Sequence, residues 1–131
     1  MKSTSLTDHR IPSALSKESE DVVLNHLHSF ASNDLDILMG DYTEQSILIT
    51  HEETYSGKEQ IRAFFAEMLE HFPTDLSDFK LDKLVSDDEL VFIVWHATTP
   101  SLEVALGTDT FAIREGKIVK QTFAGKMRFL N

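Results

Sequence analysis

The sequence predicts an α+β domain: three N-terminal helices packed on a curved antiparallel sheet. Three observations predict it. Apolar residues recur at helical spacing only before Pro73. After Pro73 they alternate, or run continuously over short spans, as strands do. Turn residues punctuate that second half at Asp87-Asp88, Pro100-Ser101 and Glu115-Gly116. Helices segregated from a run of neighbouring strands give the α+β layer arrangement.

The first helix is expected to start near Ser16 to Ser19. Glu18, Glu20 and Asp21 then fall where the positive end of the helix dipole favours them. Val23, Leu27 and Phe30 follow at i, i+4, i+7, and Asn33 is the expected stop, because Asn tolerates the left-handed conformation. Leu35, Leu38, Met39 and Tyr42 mark a short second helix, capped by Asn33 or Asp34. Ser46 to Thr50 reads as a strand. Ser56 and Glu59 form a capping box for a third helix. Its broad apolar face is Ile61, Phe64, Phe65, Met68, Leu69 and Phe72, and Pro73 ends it.

Phe79, Leu81 and Leu84 suggest the next strand. Leu90 to Thr99 is apolar on both faces, which suits a central strand. Val104 to Ile113 and Ile118 to Ala124 complete a meander. A curved sheet around helices leaves a concave interior, where small-molecule pockets form.

Met1 to Lys17 is rich in Ser and Thr, carries Pro12 and has no periodicity. It reads as a flexible N-terminal arm, either a frayed tail or a segment crossing a partner subunit. Residues 18–131 are the domain.

Composition bounds the function. The chain has 131 residues, enough for one core. With no cysteine, disulfides, thiol catalysis and thiolate metal sites are excluded. A net charge of −10 argues against nucleic acid and anionic membranes, which need a basic face. The longest aliphatic-aromatic run, Leu90 to Trp95, is far too short to span a bilayer, and no early apolar stretch resembles a signal peptide. The expectation is an acidic cytoplasmic domain. His26 and His28 diverge on their helix, and His51-Glu52-Glu53 has no ligand spacing, so no metal or other cofactor is expected. The chain has neither a phosphate-binding glycine loop nor a Gly-x-Ser-x-Gly elbow.

Several segments carry a family resemblance: Phe30 to Asp36, Tyr42-Thr43-Glu44, Tyr55 to Phe65, and Asp109-Thr110-Phe111 leading to Glu115-Gly116-Lys117-Ile118. In order and spacing they resemble the NTF2-like superfamily, most of all its SnoaL-like and ketosteroid-isomerase-like branches. The resemblance implies a cone-shaped fold and a homodimer through the outer sheet face. It also implies a small apolar ligand, an apolar carbonyl compound if isomerase-, cyclase- or dehydratase-type chemistry operates. A non-catalytic ligand-binding or dimerisation module is the alternative, since one scaffold hosts many activities.

Ketosteroid isomerase pairs an aspartate base with an oxyanion hole made of a tyrosine and a protonated aspartate. Carried over by position, the oxyanion aspartate is Asp109. The helix-1 tyrosine falls on His26 and the base on Thr50, which cannot replace a carboxylate near neutral pH. Asp109 and His26 are thus the candidate acid–base couple. Each also has a plainer reading: Asp109 as a solvated carboxylate beside Lys120, His26 as a hydrogen-bonded core residue. The expected lining is Tyr42, Thr50, Phe64, Phe92, His96, Phe111, Gln121 and Phe123. Only one of Trp95 and His96 can face the interior. Counting back from Asp109 on the family pattern prefers His96 and leaves Trp95 outside.

Overall fold

The computed structural model describes residues 11–130. The elements run α1 (Ala14–Ala31), α2 (Leu35–Met39), β1 (Tyr42–Thr50), β2 (Thr54–Ser56), α3 (Gly57–Leu69), β3 (Asp78–Asp87), β4 (Leu90–Thr98), β5 (Leu102–Arg114) and β6 (Lys117–Phe129). Three helices are present, two of them long, and α3 follows the first two strands. Residues 1–10 of the expected arm lie outside the described residues. Ala14 to Lys17 already belong to α1, so the helix starts earlier than expected.

The early start has a local cause. Ser13 is the N-cap, its hydroxyl accepting the Ser16 N–H at 2.9 Å. Ser16 in turn is buried and accepts the Asp88 N–H at 2.7 Å, which docks the helix start on the β3–β4 turn. Glu18, Glu20 and Asp21 therefore lie beyond the first turn, where the dipole contributes little. At the other end Asn33 takes φ 57. Its side-chain amide donates to the carbonyls of Leu69 and Phe72 at 2.8 and 2.9 Å, tying the ends of α1 and α3 together.

Asp34 caps α2 by accepting the Ile37 N–H. Tyr42 is not part of that helix but the first residue of β1. The capping box expected for α3 does not form. Ser56 makes no side-chain cap bond, and its N–H donates to Gln60 Oε1 at 2.8 Å in place of Glu59.

The six strands form one sheet in the order β2-β1-β6-β5-β4-β3. It is mixed, not antiparallel throughout, because β1 pairs with β6 in parallel. That pairing spans most of the chain and leaves no local signal. β3 to β6 are the expected antiparallel meander. Glu115 and Gly116, at φ 51 and 77, make the tight turn a right-twisted hairpin needs. β4 is one strand in from the edge, so it is flanked on both sides without being central.

Register shifts at Leu81/Lys83, Trp95/Ala97 and Val104/Leu106 fall on three adjacent strands. Bulges of this kind bend strands, and the sheet curves around α1 and α3. The core between them includes Val23, Leu48, Ile61, Phe65, Ile93 and Phe111. No helix among the described residues is long and apolar enough to cross a membrane.

Candidate functional site

A cavity of about 50 Å³ lies between α1, α3 and the concave face of the sheet. Its walls are mostly aromatic: Phe30, Phe64, Phe65, Phe79, Trp95, Phe111 and Phe123. Three polar side chains also line it, His26 from α1, Asp109 from β5 and Gln121 from β6.

Asp109 is buried, and both its oxygens are held. Oδ1 accepts the Trp95 indole N–H at 2.8 Å, and Oδ2 accepts a Gln121 amide N–H at 2.8 Å. Burial raises its pKa to about 6, against the lowering effect of those two bonds and of nearby His26. Gln121 is fixed from its other end by the Tyr42 hydroxyl, which donates to Oε1 at 2.5 Å. The Tyr42 pKa is raised well above its ordinary value by burial, then by the charges of Asp109 and Asp41. Its proton therefore stays in place, and the donors run from Tyr42 through Gln121 to Asp109.

His26 lies on the buried face of α1. Its Nδ1 is 3.2 Å from Asp41 Oδ2, and its ring meets Tyr42, Phe65 and Phe111 edge-on with centroids 5.6–5.7 Å apart. A carboxylate only accepts, so Nδ1 carries the proton and Nε2 is the acceptor in the neutral ring.

Six of the expected residues thus come together at the cavity: His26, Phe64, Asp109, Phe111, Gln121 and Phe123. Four placements are corrected. His96 is exposed and bonds Asp82 Oδ2 through Nδ1 at 2.7 Å. Phe92 shares that outer face, because Ile93 pairs with Asp109 in register and therefore takes the inner one. Trp95, two residues on, faces inward with Ile93. Thr50 organises the turn after β1, accepting the N–H groups of Glu52 and Glu53 at 3.1 and 2.9 Å, and does not line the cavity. Tyr42 stands behind the cavity wall as the support of Gln121.

The main omission is Trp95 and the glycine beneath it. The indole stacks on Phe79 and on Phe123, with centroids 5.1 and 5.9 Å away. A Cβ on Gly107 would sit 2.4 Å from Trp95 Cε2. A glycine inside a strand pattern signals such close approach, and Gly107 between Leu106 and Thr108 was that signal. Among the described residues no group of three or more His, Asp or Glu is placed to hold a metal ion.

Removing the Tyr42 hydroxyl tests the support. Tyr42→Phe leaves Gln121 Oε1 as a buried acceptor without its donor, and is expected to cost about 1–2 kcal/mol in urea unfolding. A freer Gln121 also grips Asp109 less, so the pKa of that carboxyl rises further.

A helix-backed curved sheet thus encloses an aromatic cavity with one buried carboxylate on its wall. The chain belongs to the SnoaL-like domain family, whose model matches residues 23–121. Solved structures agree on the fold. A provisionally assigned SnoaL-like polyketide cyclase from Jannaschia sp. CCS1 is 18% identical, with 89% of this chain and 91% of that one covered and a TM-score of 0.76. The epoxide hydrolase/cyclase-like enzyme SalBIII, of pyran ring formation in the polyether salinomycin, is 15% identical over 87% and 97%, with a TM-score of 0.73. An NTF2-like protein of unknown function from Mesorhizobium loti is 14% identical over 88% and 97%, with a TM-score of 0.72. No curated protein matches the chain in sequence.

Proposed function

We propose that this protein binds a small, mostly apolar molecule in the aromatic cavity and moves a proton on it with Asp109 and His26. The reaction type is that of an isomerase, cyclase or dehydratase. The observation that carries the reading is Asp109 itself: a buried carboxyl on the cavity wall, held by two donors, with a pKa near 6. A group titrating there exchanges its proton readily at neutral pH. An apolar carbonyl substrate would also need a donor for its oxygen, and protonated His26 supplies one through Nε2.

Thr50 favours a second reading, a non-catalytic ligand-binding module. The position of the family base holds a turn-forming hydroxyl, and no carboxylate faces Asp109 from it. One experiment separates the two. Ligands are found by thermal shift, where saturation at 100 times Kd stabilises by about 2.7 kcal/mol. Each bound ligand is then followed by NMR in D₂O. Deuterium uptake at a carbon of the ligand, lost in Asp109→Asn, supports catalysis. Binding without exchange supports the module.

The outer sheet face is the proposed dimer surface. Ile49 and Leu106 are exposed on it, and Phe92 and Val94 are half-buried. Leu106→Glu is the variant that tests it, with sedimentation velocity as the readout.

A further inference from the structure

We propose that the cavity takes a small protonated amine, an alkylammonium whose N–H groups donate to the Asp109 carboxylate. The inference rests on the reading of the cavity as a ligand site and narrows what enters it: an N–H donor in place of a carbonyl.

The hydrogen bonds around Asp109 all point one way. Tyr42 O–H donates to Gln121, and Gln121 and Trp95 both donate to Asp109. The network ends on an acceptor, and that acceptor lines the cavity. An ionised carboxylate has about four lone-pair positions, of which the two donors occupy two. His26 adds a second acceptor when neutral, because Asp41 fixes its proton on Nδ1. With Asp109 ionised and His26 neutral, a ligand carbonyl would set its oxygen against acceptors. An ammonium group sets its N–H groups against them and supplies the opposite charge that a buried carboxylate otherwise lacks. The rest of the wall is mostly aromatic, with Leu27, Met68 and Ile93 among the rings; ring faces attract cations while the apolar side chains cover the alkyl part. The small volume limits the ligand to a short or compact chain. The net charge of −10 draws cations towards the molecule from solution.

The titratable groups around Asp109 are His26 from α1 and Tyr42 from the start of β1, with Asp41 behind both. Tyr42 stays protonated, so proton release from Asp109 is what opens the site to a cation.

Three four-carbon probes test the proposal: n-butylammonium, 1-butanol and 2-butanone, titrated at pH 8 with Trp95 fluorescence as the signal. The expected result is roughly ten-fold or greater preference for butylammonium over both neutral probes. The preference should shrink below about pH 6 as Asp109 takes up its proton. Asp109→Asn is expected to lose the preference while still binding butanol. Equal or tighter binding of butanone or butanol overturns the proposal and leaves the ligand-site reading standing. Binding of none of the three overturns both. Preference retained in Asp109→Asn also overturns it, because the cation then sits on the acidic surface.

Discussion

Gly107→Ala is expected to lose about 3 kcal/mol of stability and to displace the one tryptophan of the chain. The new methyl would stand 2.4 to 2.8 Å from three atoms of the Trp95 indole. The indole stacks on Phe79 and Phe123, so moving it also disturbs those contacts. Overpacking of this kind costs about 1–3 kcal/mol. A displaced indole also breaks the Nε1–H bond to Asp109, and bonds to charged groups contribute about 1.5–3 kcal/mol. The lower backbone entropy of unfolded alanine returns about 0.4–1 kcal/mol, too little to offset the clash. Urea unfolding and Trp95 fluorescence check both halves. Wild-type stability with an unchanged emission maximum would show that the indole is not packed against Gly107.

Asp109→Asn is expected to remove a pH dependence that the wild type carries. Burial raises the folded pKa of Asp109 to about 6 from its ordinary 3.8. The folded chain therefore holds this proton more tightly than the unfolded chain does. Stability from this group rises as pH falls from about 6 towards 4, and is lost as pH rises through 6. The full shift corresponds to about 3 kcal/mol, of which about 1 kcal/mol develops between pH 7 and pH 5. Unfolding of both proteins at those two pH values isolates it, since the remaining carboxylates are common to both. The wild type should gain on the variant by that amount at pH 5. An equal difference at the two pH values would mean that Asp109 is solvated. At pH 7 the variant also sets an amide N–H against one of the two donors, Trp95 or Gln121, so its absolute stability falls there as well.

These effects turn on residues that sequence patterns reveal unequally. The face of α3 was legible because Ile61, Phe65 and Leu69 repeat at helical spacing and are buried together. Asn33 and the Glu115-Gly116 turn were legible because few residues tolerate positive φ. The β4 orientation was not. Phe92 and Val94 on one face look like Ile93 and Trp95 on the other, and only the pairing of Ile93 with Asp109 breaks the tie. Parallel pairing of β1 with β6 depends on a crossover, which local pattern does not encode. The start of α1 rests on a serine cap without an acidic partner three residues on, a weaker signal than the Ser56/Glu59 pattern before α3. Asp109 and His26 stood out as polar residues in apolar settings and Gln121 by the family resemblance, and the cavity brings them together. Thr50 stood out by position in the family pattern and Tyr42 as the end of an expected short helix, yet one shapes a turn and the other braces Gln121.

Asp109 is a cavity carboxyl held by Trp95, with a pKa raised by burial to about 6. The most direct test of this is the NMR signal of the Trp95 indole N–H, the only one the chain can give. That proton lies in the bond to Asp109 Oδ1, so its chemical shift reports the charge on the carboxyl. Followed from pH 4 to pH 8, the shift is predicted to titrate with a midpoint near 6, and to stay flat in Asp109→Asn. A midpoint near the ordinary carboxyl value of 3.8, or no titration in the wild type, would contradict it.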